Sequence, residues 1–261
     1  MVLSNSQAKI GIIGCGWLGK YIAQHFTGNY TIYSTTRSPQ KQSQLLALGH
    51  NCIAIQFDEK ENLHNNDWEN TNSLDAIIIT VPFSKRENIN TLTQRFKNIC
   101  AFIKTYDKQV FLMSSIGIYP DNDTNMDEKS VSNDELNPTI LHIENLMKSN
   151  FKKLNILRLG GLMGGSRVFS NYDVIPTQQV VNHVHYEDIC LIIEKMILNK
   201  SKSTTYNVVA PLHPTKKEII NYQKNGKISL DNEKFGRIIS SNLLQKELDY
   251  EFLHPDPRTF F

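Results

Sequence analysis

The sequence predicts an α/β fold: a doubly wound parallel sheet with a smaller α+β portion on its C-terminal side. Three observations carry that expectation. Short apolar runs of strand type alternate with amphipathic helical patterns from Ile10 to Leu159. One of those runs, Leu74–Val81, is apolar nearly throughout, the pattern of a parallel strand buried on both faces. The first run (Ile10, Ile12, Ile13) ends in Gly14-x-Gly16-x-x-Gly19 and passes directly into a helical pattern (Trp17, Leu18, Tyr21, Ile22, Phe26).

Strand, glycine turn and helix in that order are what a dinucleotide site of Rossmann type requires. Gly14 permits a tight turn, Gly16 has no side chain to block a pyrophosphate, and Gly19 lets helix and strand pack closely. The helix N-terminus offers unpaired N–H groups and a partial positive charge to phosphates. Residues Gly14, Cys15, Gly16, Trp17, Leu18 and Gly19 are therefore candidate cofactor-binding positions. The bare glycine spacing is a weak signal. Its place between a strand and a helix gives it weight, against the alternative of a turn used only for packing.

Thr31–Thr35 reads as the second strand. Its end, about 20 residues past the glycine turn, is where an NAD-selective fold places an acidic residue on the ribose hydroxyls. This chain has Thr35, Thr36, Arg37 and Ser38 there, with Lys41 one helical turn further on. A guanidinium with neighbouring hydroxyls suits a 2′-phosphate, which a carboxylate would repel. Thr36, Arg37 and Ser38 therefore favour NADP, with NAD possible; the plain alternative is a surface arginine ahead of a helix that opens on Pro39.

That helix is expected to run from Pro39 to Leu48 and stop at Gly49, followed by a third strand, Cys52–Phe57. Asp58 closes this strand, either accepting from an adenine amino group or capping the polar stretch 59–72, whose main apolar anchor is Trp68. Thr80, Val81 and Pro82 end the buried fourth strand on the carboxyl side of the sheet, where cofactors sit. A helix is expected over Arg86–Lys104 and a fifth strand over Gln109–Ser115. Ser114, Ser115 and Tyr119 form either a polar cluster in the cofactor cleft or ordinary strand-end caps. An acidic segment (121–135), a helix (Pro138–Ser149) and a sixth strand (Leu154–Leu159) complete the first part. Beyond Arg167 the pattern gives a short strand over Gln179–His185, a helix from Tyr186 to Asn199, a strand at Thr205–Val209 and helices over Thr215–Tyr222 and Ser241–Leu248. The expected division is 1–168 for the dinucleotide-binding domain and 169–261 for a smaller substrate-side portion.

With 261 residues, 40% hydrophobic, 21% charged and a net charge of +2, the chain reads as a soluble globular protein without the field that nucleic acid or an anionic membrane would call for. The four cysteines form no CxxC pair and read as free thiols in a reducing compartment. No signal-type leader and no membrane-length apolar run is evident, so a cytoplasmic protein is expected, working on a small-molecule substrate and possible as a homodimer.

Several motifs together resemble the extended short-chain dehydrogenase/reductases of the NAD-dependent epimerase/dehydratase superfamily, in particular a shortened, atypical branch of small bacterial NAD(P)-binding proteins. They include Gly14-x-Gly16-x-x-Gly19, Ser114–Tyr119, Ile156–Gly161, Asn182–Asp188, Tyr206–Val209 and Arg237–Leu243. The resemblance implies an oxidoreductase or epimerase in which a Ser works with a Tyr-x-x-x-Lys pair. Ser115 matches the serine. Counting back from Glu144 puts His142 at the lysine position and Pro138 at the tyrosine position, so the usual proton-transfer pair is missing. Tyr119, His142 and Glu144 are the candidate replacements, with a plain helix-surface histidine as the alternative for His142. Arg167 falls where such enzymes hold a substrate phosphate, or is a solvated loop charge. The glycine spacing also departs from this superfamily's usual GxxGxxG, with Ile13 in place of the first glycine. His183-x-His185 lacks an evident third ligand, and no metal is expected. The missing pair leaves a second reading open, a non-catalytic NADP-binding protein that acts as sensor or scaffold.

Overall fold

The computed structural model describes residues 7–58, 71–103, 106–172, 174–228 and 233–260. Trp68, with the rest of 59–70, and Lys104 lie outside the described residues.

Seven parallel strands form the central sheet in the order β10-β7-β5-β4-β1-β2-β3, flanked by helices. They are β1 (Lys9–Ile13), β2 (Thr31–Thr36), β3 (Asn51–Ala54), β4 (Ala76–Ile79), β5 (Gln109–Ser115), β7 (Leu154–Leu159) and β10 (Thr205–Val208). Strand order reverses beside β1: β2 lies on one side of it and β4 on the other. The crevice at such a reversal is where this architecture binds ligands. The central strands are apolar throughout because both faces are covered; Ile77, Ile78 and Ile79 are fully buried.

Two expected strands are shorter than their apolar runs, because a strand is only as long as its partner. β4 pairs Ala76 to Ile79 with Ile10 to Ile13, and β1 stops at the glycine turn. β3 pairs up to Ala54 opposite Thr36, where β2 ends. The chain packs as two compact units that interleave in sequence: Met1–Met113 with Thr139–Ile156 and Ile197–Thr204, and Ser114–Pro138 with Leu157–Met196 and Thr205–Phe261.

In the first unit, α1 (Trp17–Phe26) buries Leu18, Ile22 and Phe26. α2 (Pro39–Ala47) carries proline in its first turn, and its N-cap Ser38 accepts from the Lys41 amide. α3 (Ile89–Phe102) starts later than the run from Arg86, because the Asn88 side chain caps it by accepting from the amides of Asn90 and Thr91. In α4 (Pro138–Asn150), Pro138 stands at the first helical position, where its missing N–H costs nothing.

In the second unit, the acidic segment contains a short strand, β6 (Asn125–Met126), paired with β11 (Ile238–Ile239). A further parallel pair joins β8 (Gly161–Met163) to β9 (His183–His185). β9 is shorter than the expected strand because Gln179 and Val180 instead bridge to Phe235 and Thr215. α5 (Tyr186–Leu198) follows directly. α6 (Lys216–Asn225) opens with a reciprocal capping box between Thr215 and Glu218 and closes on Gly226 at φ +65°. α7 (Asn242–Leu248) comes last. The core of this unit gathers Met163, Phe169, Val181, Ala210 and Ile219 around Phe260, which is fully buried. All four cysteines are buried free thiols. Among the described residues no helix is long and apolar enough to cross a membrane.

Candidate functional site

In the first unit the glycine turn is fixed from both neighbouring strands. The Gly14 amide donates to Thr35 Oγ1 of β2 at 2.9 Å, and the Cys15 amide to the Thr35 carbonyl at 2.7 Å. From the end of β4, Thr80 Oγ1 donates to the Gly14 carbonyl at 2.6 Å. Gly14 sits at φ +90°, and a Cβ there would lie 2.8 Å from Val81 Cγ2. A Cβ on Gly19 would meet the Gly14 carbonyl oxygen at 2.9 Å and Thr80 Oγ1 at 3.0 Å, so helix and sheet meet at van der Waals contact only because it is glycine.

Gly16 is different. A Cβ there would find only the Gly14 oxygen, at 3.8 Å, so the fold itself does not demand glycine. Gly16 is the N-cap of α1, no side chain caps that helix, and its first turn has no acidic residue. The amide donors that a helix start leaves over therefore face open space. Beside them Cys15 is buried, which raises its thiol to about 12 and keeps it neutral. Trp17 packs edge-on to Tyr21 at 5.0 Å.

At the end of β2, Thr36 Oγ1 accepts from the Ser38 amide, and Arg37 is exposed between them. Asp58 does neither of the things foreseen for it as its main contact. Its carboxylate receives Arg95 Nε at 2.6 Å, and the same guanidinium donates to Glu87 at 2.8 Å and to the Pro82 carbonyl at 3.3 Å. Arg95 thus joins the ends of β3 and β4, a role invisible without the fold because it lies 37 residues from Asp58.

His142, exposed on α4, lies 3.0 Å from Thr93 Oγ1 through its Nε2. The Thr93 hydroxyl donates to the Ile89 carbonyl, so its oxygen is left to accept and His142 Nε2 carries the proton. Glu144 is fully buried on the same helix.

In the second unit, Ser114 is buried at the end of β5. Ser115 Oγ accepts from the Gly117 amide at 3.0 Å, which leaves its own proton for another acceptor. Tyr119 is buried. Its hydroxyl donates to Asn207 Oδ1 at 2.8 Å and accepts from Arg158 Nη1 at 2.9 Å. Burial raises the Tyr119 pKa, only partly offset by the Arg158 charge. The network continues: the Asn207 amide donates to Glu128 Oε1 at 2.6 Å, and burial likewise pushes the Glu128 carboxyl up. Arg237 Nη1 holds the carbonyls of Tyr119 and Pro120, at 2.6 and 3.0 Å.

That arginine also lines an open cavity of about 260 Å³, together with Asp121, Gln179, Asn182, His183 and Lys216. Lys216 Nζ donates to Gln179 Oε1 at 2.7 Å. His183 Nδ1 is buried and has no hydrogen-bond partner, and burial lowers its pKa to about 4, so the ring is neutral at pH 7. Two cations against one carboxylate give the cavity a positive balance. Arg167 stands apart from this lining, in the tight turn it closes with Gly164. The cavity residues come from four separated stretches of sequence. Only Asn182, His183 and Arg237 belonged to recognised motifs, and nothing in their spacing announced a shared cavity.

No protein-family model matches the chain. Protein YeeZ of Escherichia coli K12 is 23% identical over 270 residues, spanning 95% of this chain and 97% of YeeZ. Among solved structures, the human epimerase family protein SDR39U1 with NADPH matches with a TM-score of 0.70 at 13% identity, covering 96% of each chain. WbmG of Bordetella bronchiseptica in complex with NAD matches at 0.72 and 13% identity, covering 99% of this chain and 93% of WbmG. The fold is that of the extended short-chain dehydrogenase/reductases of epimerase/dehydratase type, as the motifs implied. Its likeness to YeeZ runs over nearly the full length of both chains.

Proposed function

We propose that the chain binds NADP(H) at the Gly14–Gly19 turn and acts on a small anionic carbonyl or sugar-type substrate held in the second unit. The observation that carries this reading is the unfilled space at Gly16: the fold tolerates a side chain there, and a pyrophosphate would not. The fold neighbours crystallised with NADPH and with NAD support the nicotinamide class of cofactor. Arg37, exposed beside Thr36 and Ser38 with no acidic residue at the end of β2, supports NADP over NAD.

The cavity with Lys216 and Arg237 supports an anionic substrate. Its volume of about 260 Å³ lies just under the usual range for ligand pockets and suits a sugar-sized group better than a whole sugar nucleotide. A bound nicotinamide supplies hydride transfer, and the chain supplies binding and orientation. In this reading Ser115 donates its free hydroxyl proton to a substrate oxygen, and Lys216 and Arg237 orient the anion. Tyr119 is a positioning residue: its hydroxyl is occupied on both sides and shut away from solvent.

The occupied Tyr119 hydroxyl, the proline at position 138 and the His142 bond to Thr93 favour a second reading, in which the fold binds NADP without turning over a substrate. The test is calorimetric titration with NADPH, NADP, NADH and NAD, followed by turnover assays with phosphorylated and carboxylated carbonyl compounds. The reading expects tight NADPH binding and weak NADH binding. Binding of none of the four overturns it. Tight binding without turnover of any substrate selects the second reading.

A further inference from the structure

Away from the glycine turn and outside the cavity lining, the second unit brings three metal-ligating side chains together. His185 ends β9, Glu187 lies in the first turn of α5, and His254 comes from the segment after α7. One ligand atom from each lies within 4.8 Å of the others. Glu187 Oε2 is 2.6 Å from His254 Nε2 and 3.7 Å from His185 Nδ1. The two imidazoles are stacked at 3.9 Å between centroids, tilted by 45°.

We propose that His185, Glu187 and His254 bind a divalent transition-metal cation of the zinc class, with the fourth position left to water. Two imidazoles and one carboxylate are a donor set that zinc accepts. The tautomer is suitable at His185. Its Nδ1 accepts from the Glu187 amide at 3.4 Å, so the lone pair is on Nδ1 and the proton on Nε2. Nε2 lies against Gly164, where only a glycine leaves room for the ring. Tyr186 OH donates to the second carboxylate oxygen of Glu187 at 3.2 Å, the kind of outer contact that orients a ligating carboxylate.

The backbone of the most distant ligand is held in place beforehand. Asp188 accepts from Tyr250 OH at 2.7 Å and from the amides of Leu253 and His254, at 2.7 and 3.1 Å. His185 and the fully buried Phe260 form the closed wall, while the side chains of His254 and Glu187 keep 27% and 42% of their surface in water. Ligand atoms around a tetrahedral zinc stand about 3.3 Å apart. The ion therefore enters by parting Glu187 from His254 by roughly 0.7 Å, a shift within reach of the two solvent-facing members. A bound ion would tie the segment from 250 to 260 to the start of α5. His254 lies 67 residues from Glu187, which is why the sequence reading found no third ligand.

The test uses the full chain, stripped with a chelator and titrated with Zn²⁺ by calorimetry, with Co²⁺ absorption as a spectroscopic reporter. The proposal expects one equivalent bound and affinity lower by at least about tenfold in both His254→Gln and Glu187→Gln. It also expects Zn²⁺ to raise the melting temperature of the unaltered chain but not of those variants. His183→Gln, in the neighbouring cavity, is expected to bind as the unaltered chain does. Absence of saturable binding overturns the proposal. So does equal affinity in His254→Gln and Glu187→Gln, or loss of binding in His183→Gln. Circular dichroism confirms that each variant is folded. The nucleotide titrations use different residues, so either proposal can fail alone.

Discussion

Removing the Tyr119 hydroxyl distinguishes a positioning residue from a surface of the chemistry. Tyr119→Phe keeps the ring, and with it the stacking of the Arg158 guanidinium, which lies 5.3 Å from the ring centroid. It deletes the bond accepted from Arg158, which is charge-assisted, and the bond donated to Asn207. A hydrogen bond to a charged group contributes about 1.5–3 kcal/mol and a neutral one about 1, and both partners stay in the interior without this hydroxyl. The expected loss is therefore roughly 3 kcal/mol. For a chain of this size that is a fall in melting temperature on the order of 6–12 °C. Tyr106→Phe is the control: Tyr106 is as buried, but its hydroxyl makes a single neutral bond, to the Leu74 carbonyl at 3.3 Å. Its expected loss is about 1 kcal/mol. The assay is thermal unfolding of both variants alongside the unaltered chain, with NADPH affinity measured in parallel. A Tyr119→Phe loss no greater than that of Tyr106→Phe would refute the network as a stabilising unit. Normal stability with abolished turnover would return Tyr119 to acid/base chemistry.

Gly16→Val is expected to leave the fold and melting temperature intact, because the added side chain meets little of the protein, and to lower nucleotide affinity by at least about a hundredfold, roughly 3 kcal/mol; unchanged affinity by calorimetry would misplace the site. Arg37→Asp is expected to shift preference from NADP towards NAD by about tenfold or more, by replacing an attraction to the 2′-phosphate with a repulsion, and an unaltered affinity ratio would remove Arg37 from the site. Stability should also depend on pH through His183. Its folded pKa is lowered from 6.5 to about 4, so between those values the unfolded chain takes up a proton the folded one refuses, and stability falls as pH falls through that window. His50 and His213 are shifted in the same direction by burial, so the test is the difference between the unaltered chain and His183→Gln, whose melting temperature should decline less from pH 6.5 to 4. Parallel declines would contradict the burial of the ring.

What could be read from the sequence was local. Alternating apolar runs gave the order of strands and helices, and the glycine turn gave its own conformation, since Gly14 and Gly19 are needed by contacts a few residues away or on the next strand. Strand lengths were not legible, because the end of β4 is set by the end of β1 and the end of β3 by the end of β2. Nor were the partners of charged groups. Asp58 is held by Arg95, and Tyr119 by Asn207, 88 residues on. Asp188, foreseen as a cap for the helix beginning at Tyr186, is instead buried where it receives Tyr250 and two later amides, and burial raises its pKa despite them. Charges that pair at long range look like solvated loop charges until the fold brings them together.

The placing of Phe260 bears on how the protein is made. The first unit has all of its strands and helices once residue 204 has been synthesised. The second has its core closed by a ring almost at the other end of the chain, and its buried Asp188 waits for amides at 253 and 254. On a translating ribosome the two halves must therefore mature at different times. The earlier one can settle while the later one still shows Met163, Phe169 and Val181 to the cytosol or to chaperones. Nonsense and frameshift lesions that remove only the last handful of residues should consequently act like large deletions, exposing a hydrophobic interior to proteolysis.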